Sequence, residues 1–199
     1  MSDHTMVKLN FVSMALIVTI HLNSYGQPSS LEAETEKVEF SDVVLADSLA
    51  KQLLYQNAMK WIGLLKYNEE KFELKLKDSI DGKLYGQSTF FVYSQTGILK
   101  KISGTITYQL SIEVKDKKYR YQFSDYVFAY YKQDRYYNMV PTGKTKSLQE
   151  LNASGWQKLW TSHRSYTMNK MQANIKQLEL KMAEDPKKTE KTIAKKVEW

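Results

Sequence analysis

The clearest pattern of apolar and polar positions runs from Gly104 to Phe123. Ile106, Tyr108, Leu110, Ile112 and Val114 alternate with Thr105, Thr107, Gln109, Ser111 and Glu113. A period of two puts each set on its own face, so the segment predicts a half-buried strand. Past Asp116-Lys117 the alternation resumes with Tyr119, Tyr121 and Phe123. A two-residue turn there pairs Val114 with Tyr119, Ile112 with Tyr121 and Leu110 with Phe123 on one face. On the other it pairs Glu113 with Arg120 and Ser111 with Gln122. Apolar meets apolar and acid meets base, and each good pair contributes about 0.2–1 kcal/mol. The basic knot is then a hairpin tip. Lys117 stands where a type I′ turn favours glycine, so either the turn is strained or the tip is longer and bulged.

The same reading extends along the chain. "KVEFSDVVL" predicts a first strand over about Val38–Val44. Asp47 or Ser48 can cap a following helix whose stripe is Leu54, Ala58, Trp61, Ile62 and Leu65. "KFELKLKDSI" sets Phe72, Leu74 and Leu76 against Lys71, Glu73, Lys75 and Lys77, and Asp81-Gly82 marks a turn. "KLYGQSTFFVY" is a strand in which Gly86 signals a bulge or a close approach. The strand containing Phe123 continues through "SDYVFAYY", followed by a Tyr-rich loop at 132–146. A helical pattern covers 147–185, with Trp156–Met182 as its main part after Gly155. Its first stripe, Trp156, Trp160, His163 and Thr167, can cover the sheet. Met168, Met171, Ile175, Leu178 and Met182 form a second seam, either packed within the chain or pairing with a second copy in a homodimer. The expected fold is α+β. A strand, a helix and four strands over 38–131 make an antiparallel sheet with one packing helix, and a long C-terminal helix follows.

The N-terminus reads as an address. Lys8 precedes the apolar run Phe11–Ile20, and Ser24 and Gly26 occupy the −3 and −1 positions of a cleavage site before Gln27. Residues 1–26 are therefore expected to be a secretory signal peptide and 27–37 a flexible lead-in. The run is shorter than the roughly 20 apolar residues of a membrane helix, so the mature chain is expected to have no transmembrane span. The protein is expected to be exported, periplasmic or secreted. Translation starting at Met6 instead of Met1 would fit the pattern equally well.

Composition narrows the chemistry. The chain of 199 residues carries a formal charge of +7, unchanged by removal of Asp3 and Lys8 with the signal. Lysines and glutamates alternate, as in "KFELKLKD" and "EDPKKTEK", which describes a solvated surface better than a basic patch. A basic tail is expected over 186–199. Cysteine is absent, which removes disulfides, thiolate metal sites and thiol nucleophiles. His163 is the one histidine of the mature chain, so a Ser/His/Asp arrangement has little material. No phosphate loop or metalloprotease motif occurs in the mature chain. No catalytic, cofactor-binding or metal residue is therefore expected. The segment around Tyr130, Tyr131, Arg135, Tyr136 and Tyr137 is a candidate contact for a protein, peptide or glycan, or the half-packed end of an edge strand.

"LLYQNAMKW", "GKLYGQ" and "ITYQLSIEVKDKKYRYQFSD" resemble the Bacteroidetes domain of unknown function 4468, whose fold is described as TBP-like. The resemblance covers about Val38–Phe128. It is most specific at Leu54-Tyr55 with Trp61 and at Lys115-Asp116 with Lys118-Tyr119-Arg120-Tyr121. The family pattern usually has glycine where this chain has Lys117. The resemblance implies the fold and brings no activity, cofactor or site residue. A TATA-binding saddle uses apolar wedges in a bent minor groove. The open face expected here is Thr105, Thr107, Gln109, Ser111, Glu113, Arg120 and Gln122, without a wedge, and nucleic acid is not an expected partner. The expected function is that of a non-catalytic binding module of the cell envelope. The alternatives are an oligomerising structural protein, a glycan-active enzyme or a nucleic-acid binder.

Overall fold

The computed structural model describes residues 36–94 and 101–186. The signal segment 1–26, the lead-in up to residue 35 and the basic tail from 187 lie outside the described residues. The elements are β1 (Phe40–Leu45), α1 (Lys51–Leu64), a 3-10 turn (Leu65–Asn68), β2 (Glu70–Asp78), β3 (Lys83–Tyr93), β4 (Ile102–Lys115), β5 (Lys118–Gln133), β6 (Met139–Ser147) and α2 (Gln157–Met182). The sheet is antiparallel with order β1-β5-β4-β3-β2, and β6 continues the β1 edge along the second half of β5.

The hairpin register is the one the alternation demands. Val114 faces Tyr119, Ile112 faces Tyr121 and Leu110 faces Phe123. On the other face Arg120 donates to Glu113 at 2.9 Å. Lys117 sits at φ +62, while Asp116 is not among the positive-φ residues, so the tip is not a type I′ turn. The tip is also clamped. Lys117 donates its backbone N–H to Leu49 O, and Ala46 N–H donates to Lys117 O. Asp116 Oδ1 accepts from the N–H of Lys51 at 2.9 Å, the first residue of α1. The cap of α1 therefore comes from the β4–β5 hairpin and not from Asp47 or Ser48.

Two bulges change faces along their strands. In β2 the register shifts between Leu74 and Leu76, so Leu76 pairs with Tyr85 on the uncovered face and is exposed. Phe72 and Leu74 remain on the covered face, and the expected grouping of Leu76 with them is corrected. A Cβ at Gly86 would meet the Phe72 ring at 2.5 Å, so glycine here serves a close approach. In β5 the shift lies opposite Thr107–Gln109, with Asp125 at φ +54. Tyr119, Tyr121 and Phe123 before it, and Tyr126 and Phe128 after it, all stay buried.

Both helices cover the same face. Trp61 of α1 packs edge-on to Phe123. From α2, Trp160, His163, Thr167, Met171, Asn174, Leu178 and Met182 are buried at spacings of three and four residues. Residues 147–156 are not helical, and Gly155 at φ +81 precedes the first turn of α2. The expected loop at 132–146 is mostly β6. Its apolar-polar alternation is broken where Gly143, at φ +77, sits in a register shift opposite Tyr130. Among the described residues no helix is long and apolar enough to cross a membrane.

Candidate functional site

The Tyr-rich segment divides into three environments. Tyr130 faces the helices, with its ring 4.7 Å from Phe128 and 5.2 Å from Trp156. Burial, with the Glu150 charge nearby, pushes its hydroxyl pKa up. It belongs to the packing and not to a contact surface. Tyr131 faces the other way, edge-on to Phe91 at 6.2 Å. Arg135, Tyr136 and Tyr137 form the tip of the β5–β6 hairpin.

Asp134 builds that tip. Its Oδ1 accepts from the N–H groups of Tyr136 and Asn138, both at 2.8 Å. Its backbone N–H donates to Asn138 O and its carbonyl accepts from Tyr137 N–H. Partial desolvation pushes the Asp134 carboxyl up, but the N–H groups of Asn138 and Tyr136 outweigh it and hold the pKa below the ordinary range. The resulting turn places Tyr137 at φ +66, a backbone conformation unusual for a tyrosine. Tyr137 is 82% exposed and Tyr136 66%, and the Arg135 guanidinium lies 4.8 Å over the Tyr136 ring. The tip is thus a preformed display of two aromatic rings.

The tip continues onto the sheet face that no described element covers. Tyr131 pairs with Pro141, and Gln133 with Met139. Phe91 and Val127 lie on this face, 42% and 37% exposed. Aromatic and apolar groups therefore do stand there, contrary to the sequence expectation. The expectation followed β4 and the first half of β5. Phe91 comes from β3, and the β5 bulge turns Val127, Ala129 and Tyr131 to this side. The polar half of the face is as expected, with Gln109, Ser111, Glu113, Arg120 and Gln122 in register.

The second seam of α2 points inward. Met171, Leu178 and Met182 are fully buried in the core, and Met168 and Ile175 pack against it. These residues are not presented to a second copy, because the sheet between β1 and β2 is broad enough to take both stripes of the helix. The homodimer expectation loses its surface.

Two polar constellations lie under α2 that alternation could not reveal. Glu70, whose side chain is fully buried, accepts from Ser88 Oγ at 2.8 Å, Tyr108 OH at 2.6 Å and Asn174 Nδ2 at 2.8 Å. Lys170 Nζ stands 3.2 Å from it and also donates to Asn68 O. Every carboxylate oxygen is occupied, which suits a structural anchor. Burial and then the Glu70 charge push the Tyr108 pKa well up. In the second constellation His163 Nε2 is 2.8 Å from Ser103 Oγ, and the imidazole lies 5.3 Å from Phe128. Burial lowers the His163 pKa to about 4. No carboxylate is bonded to this imidazole among the described residues, so the pair lacks the orienting acid of a hydrolytic triad. No group of His, Asp or Glu among the described residues could hold a metal. The one sequence signal was the Trp156–Thr167 stripe, which placed His163 on the sheet side without its partner.

No curated protein matches the chain. Among solved structures, a DUF4468 family protein from Bacteroides ovatus aligns with a TM-score of 0.55 at 13% identity, covering 78% of this chain and 93% of that one. A TBP-like protein from Parabacteroides distasonis aligns at 16% identity with a TM-score of 0.46, covering 72% and 93%. At such identities the first likeness is one of fold. The family profile described as "Domain of unknown function (DUF4468) with TBP-like fold" matches residues 40–129, from the start of β1 to the middle of β5. The strand, helix and four strands that carry the hairpin register are therefore the part of the chain that is similar to this family.

Proposed function

We propose that the chain is an exported protein of the cell envelope that binds a protein, peptide or glycan without catalysis. The binding surface is the Tyr136-Tyr137 tip together with the Phe91-Tyr131 end of the uncovered sheet face. The observation that supports it most is the tip itself. Two exposed tyrosines are held in place by Asp134, one of them at positive φ. A pre-ordered aromatic pair loses little conformational entropy on contact, the property that makes tyrosine frequent at interface centres. The charges flanking this face, Glu113, Arg120, Glu73 and Lys71, mix signs and give no continuous basic track for a phosphate backbone.

The test compares the full chain with Tyr136→Ala/Tyr137→Ala in capture of envelope proteins and in gel retardation by polysaccharides. Loss of capture with an unchanged thermal melt supports the surface. Capture equal to that of the unsubstituted chain overturns it. Export is tested separately, by fractionating expressing cells and measuring the intact mass. A soluble envelope form starting at Gln27 is expected, and a cytoplasmic form retaining Met1 or Met6 would refute it.

A further inference from the structure

The uncovered sheet face carries more than its aromatic end. Its middle is an uncharged strip on the two inner strands. β3 presents Tyr85, Gln87, Thr89 and Phe91 there, and β4 presents Thr105, Thr107, Gln109 and Ser111, paired across in register. No charged side chain stands on this face of either strand between these bounds. The hydroxyls of Thr89 and Thr107 share a hydrogen bond of 3.0 Å. Gln109 is half-buried, and its Oε1 is shielded from solvent with no hydrogen-bond partner among the described residues. Turning that amide to an incoming hydroxyl therefore gains a hydrogen bond without giving one up.

Aromatic groups close both ends of the strip. Tyr85, 37% exposed, stands at one end beside Leu76, its partner in register. Phe91, with Tyr131 edge-on to it, stands at the other. The two ends are six residues apart on β3, about 20 Å at the rise of an antiparallel strand. The electron-rich ring faces at these stations suit the C–H faces of sugar rings. The hydroxyls and amides between them both donate and accept, as the hydroxyls of a saccharide do.

Charge and hydrogen bonding choose the occupant. β3 lies between β2 and β4, and β4 between β3 and β5, so their backbone N–H and C=O groups are spent within the sheet. An extended peptide, which takes its affinity from backbone pairing at a sheet edge, finds only side chains here. Beside the strip stand Lys71, Glu73 and the exposed Asp125, which give no net positive charge to hold an acidic polysaccharide. Aromatic stations so far apart also exceed the length of a single sugar. We infer, on the footing of the binding role proposed above, that the ligand of the sheet face is a neutral linear glycan. It lies along β3 from Tyr85 to Phe91, with Gln109 as its central acceptor.

The test is native-gel retardation of the full chain by dextran, pullulan, mannan and hydroxyethylcellulose, which are neutral, and by alginate, which is acidic. Retardation by at least one neutral polymer is expected, and it should persist at about 0.3 M salt, where exposed charges are screened. Oligosaccharides of that polymer should compete more strongly with length until the strip is spanned. Tyr85→Ala and Gln109→Ala should each weaken retention by about threefold or more at an unchanged thermal melt. If Gln109→Ala lowers the melt, Tyr85→Ala decides. Retardation by alginate alone, lost in salt, overturns the inference, as does binding of a neutral polymer that Tyr85→Ala leaves intact. Capture of an envelope protein that needs Tyr136 and Tyr137, with no neutral polymer retarding the chain, overturns the glycan and leaves the binding role standing. Absence of both overturns both.

Discussion

Replacing Glu70 by alanine removes the acceptor shared by four donors. Ser88 and Tyr108 are fully buried and Asn174 is 2% exposed, so their released donors cannot turn to solvent. Lys170 retains 14% side-chain exposure and its bond to Asn68 O, so it recovers part of its hydration. Each stranded neutral donor costs about 1–3 kcal/mol, and breaking a buried ion pair by removing one partner costs about 3–5 kcal/mol. These describe overlapping losses, so about 3–5 kcal/mol is expected for Glu70→Ala. That is a large share of the roughly 5–15 kcal/mol that holds a typical domain together. Lys170→Met leaves the carboxylate with three neutral donors and should cost less, about 1.5–3 kcal/mol. The double variant Glu70→Met/Lys170→Met should recover at least about 1 kcal/mol relative to the sum of the single ones, because neither partner is then stranded. The assay is urea unfolding followed by tryptophan fluorescence, since Trp61 and Trp160 are both fully buried. With a urea slope of about 2 kcal/mol per molar, the Glu70→Ala midpoint falls by about 2 M. A loss below about 1 kcal/mol at unchanged slope would refute the reasoning, since it would mean that the donors find other partners.

Two further predictions rest on single contacts. Burial holds His163 neutral with its pKa at about 4 in the folded chain, below the ordinary value of 6.5. Unfolding therefore takes up a proton between these values. The contribution of His163 to stability is complete above pH 6.5 and is lost as pH falls towards 4, by up to about 3 kcal/mol. Unfolding curves at several pH values across that window should flatten in His163→Gln, and an unchanged slope would assign the dependence to other groups. At the hairpin tip, Asp116→Ala removes the α1 cap and should cost about 1 kcal/mol, whereas Lys117→Gly should stabilise by up to about 1 kcal/mol, because φ +62 suits glycine. Thermal melts of the two variants should move in opposite directions, and a lowered melt for Lys117→Gly would contradict the strain.

How far the sequence could be read depended on the range of each interaction. The pairing of Val114 with Tyr119 and of Glu113 with Arg120 was legible because both partners sit on one hairpin and the pleat has a strict period of two. β3 emerged with the bounds of its alternation, Lys83–Tyr93. The bulges at Lys75 and Asp125 were not legible. An extra residue leaves no mark in composition, yet it reverses the face of everything after it, as Leu76 and Tyr131 show. The aromatic tip was legible as a cluster of tyrosines. Its division into a packed Tyr130, a sheet-face Tyr131 and a displayed Tyr136-Tyr137 was not.

By itself the sequence determined the α+β class, the core set of β4 and β5, and the inward stripe of α2, because these follow from local periodicity and from transfer of apolar groups out of water. Only the tertiary structure decided who meets whom across distance. Asp116 caps a helix 65 residues away, Asn174 reaches Glu70 across 104 residues, and Ser103 meets His163 across 60. Hydrogen bonds are directional and short, so their partners exist only once the sheet has been ordered and the helices laid on it. The same ordering buried the α2 seam. The uncovered sheet face was therefore set by topology, and the core by pattern.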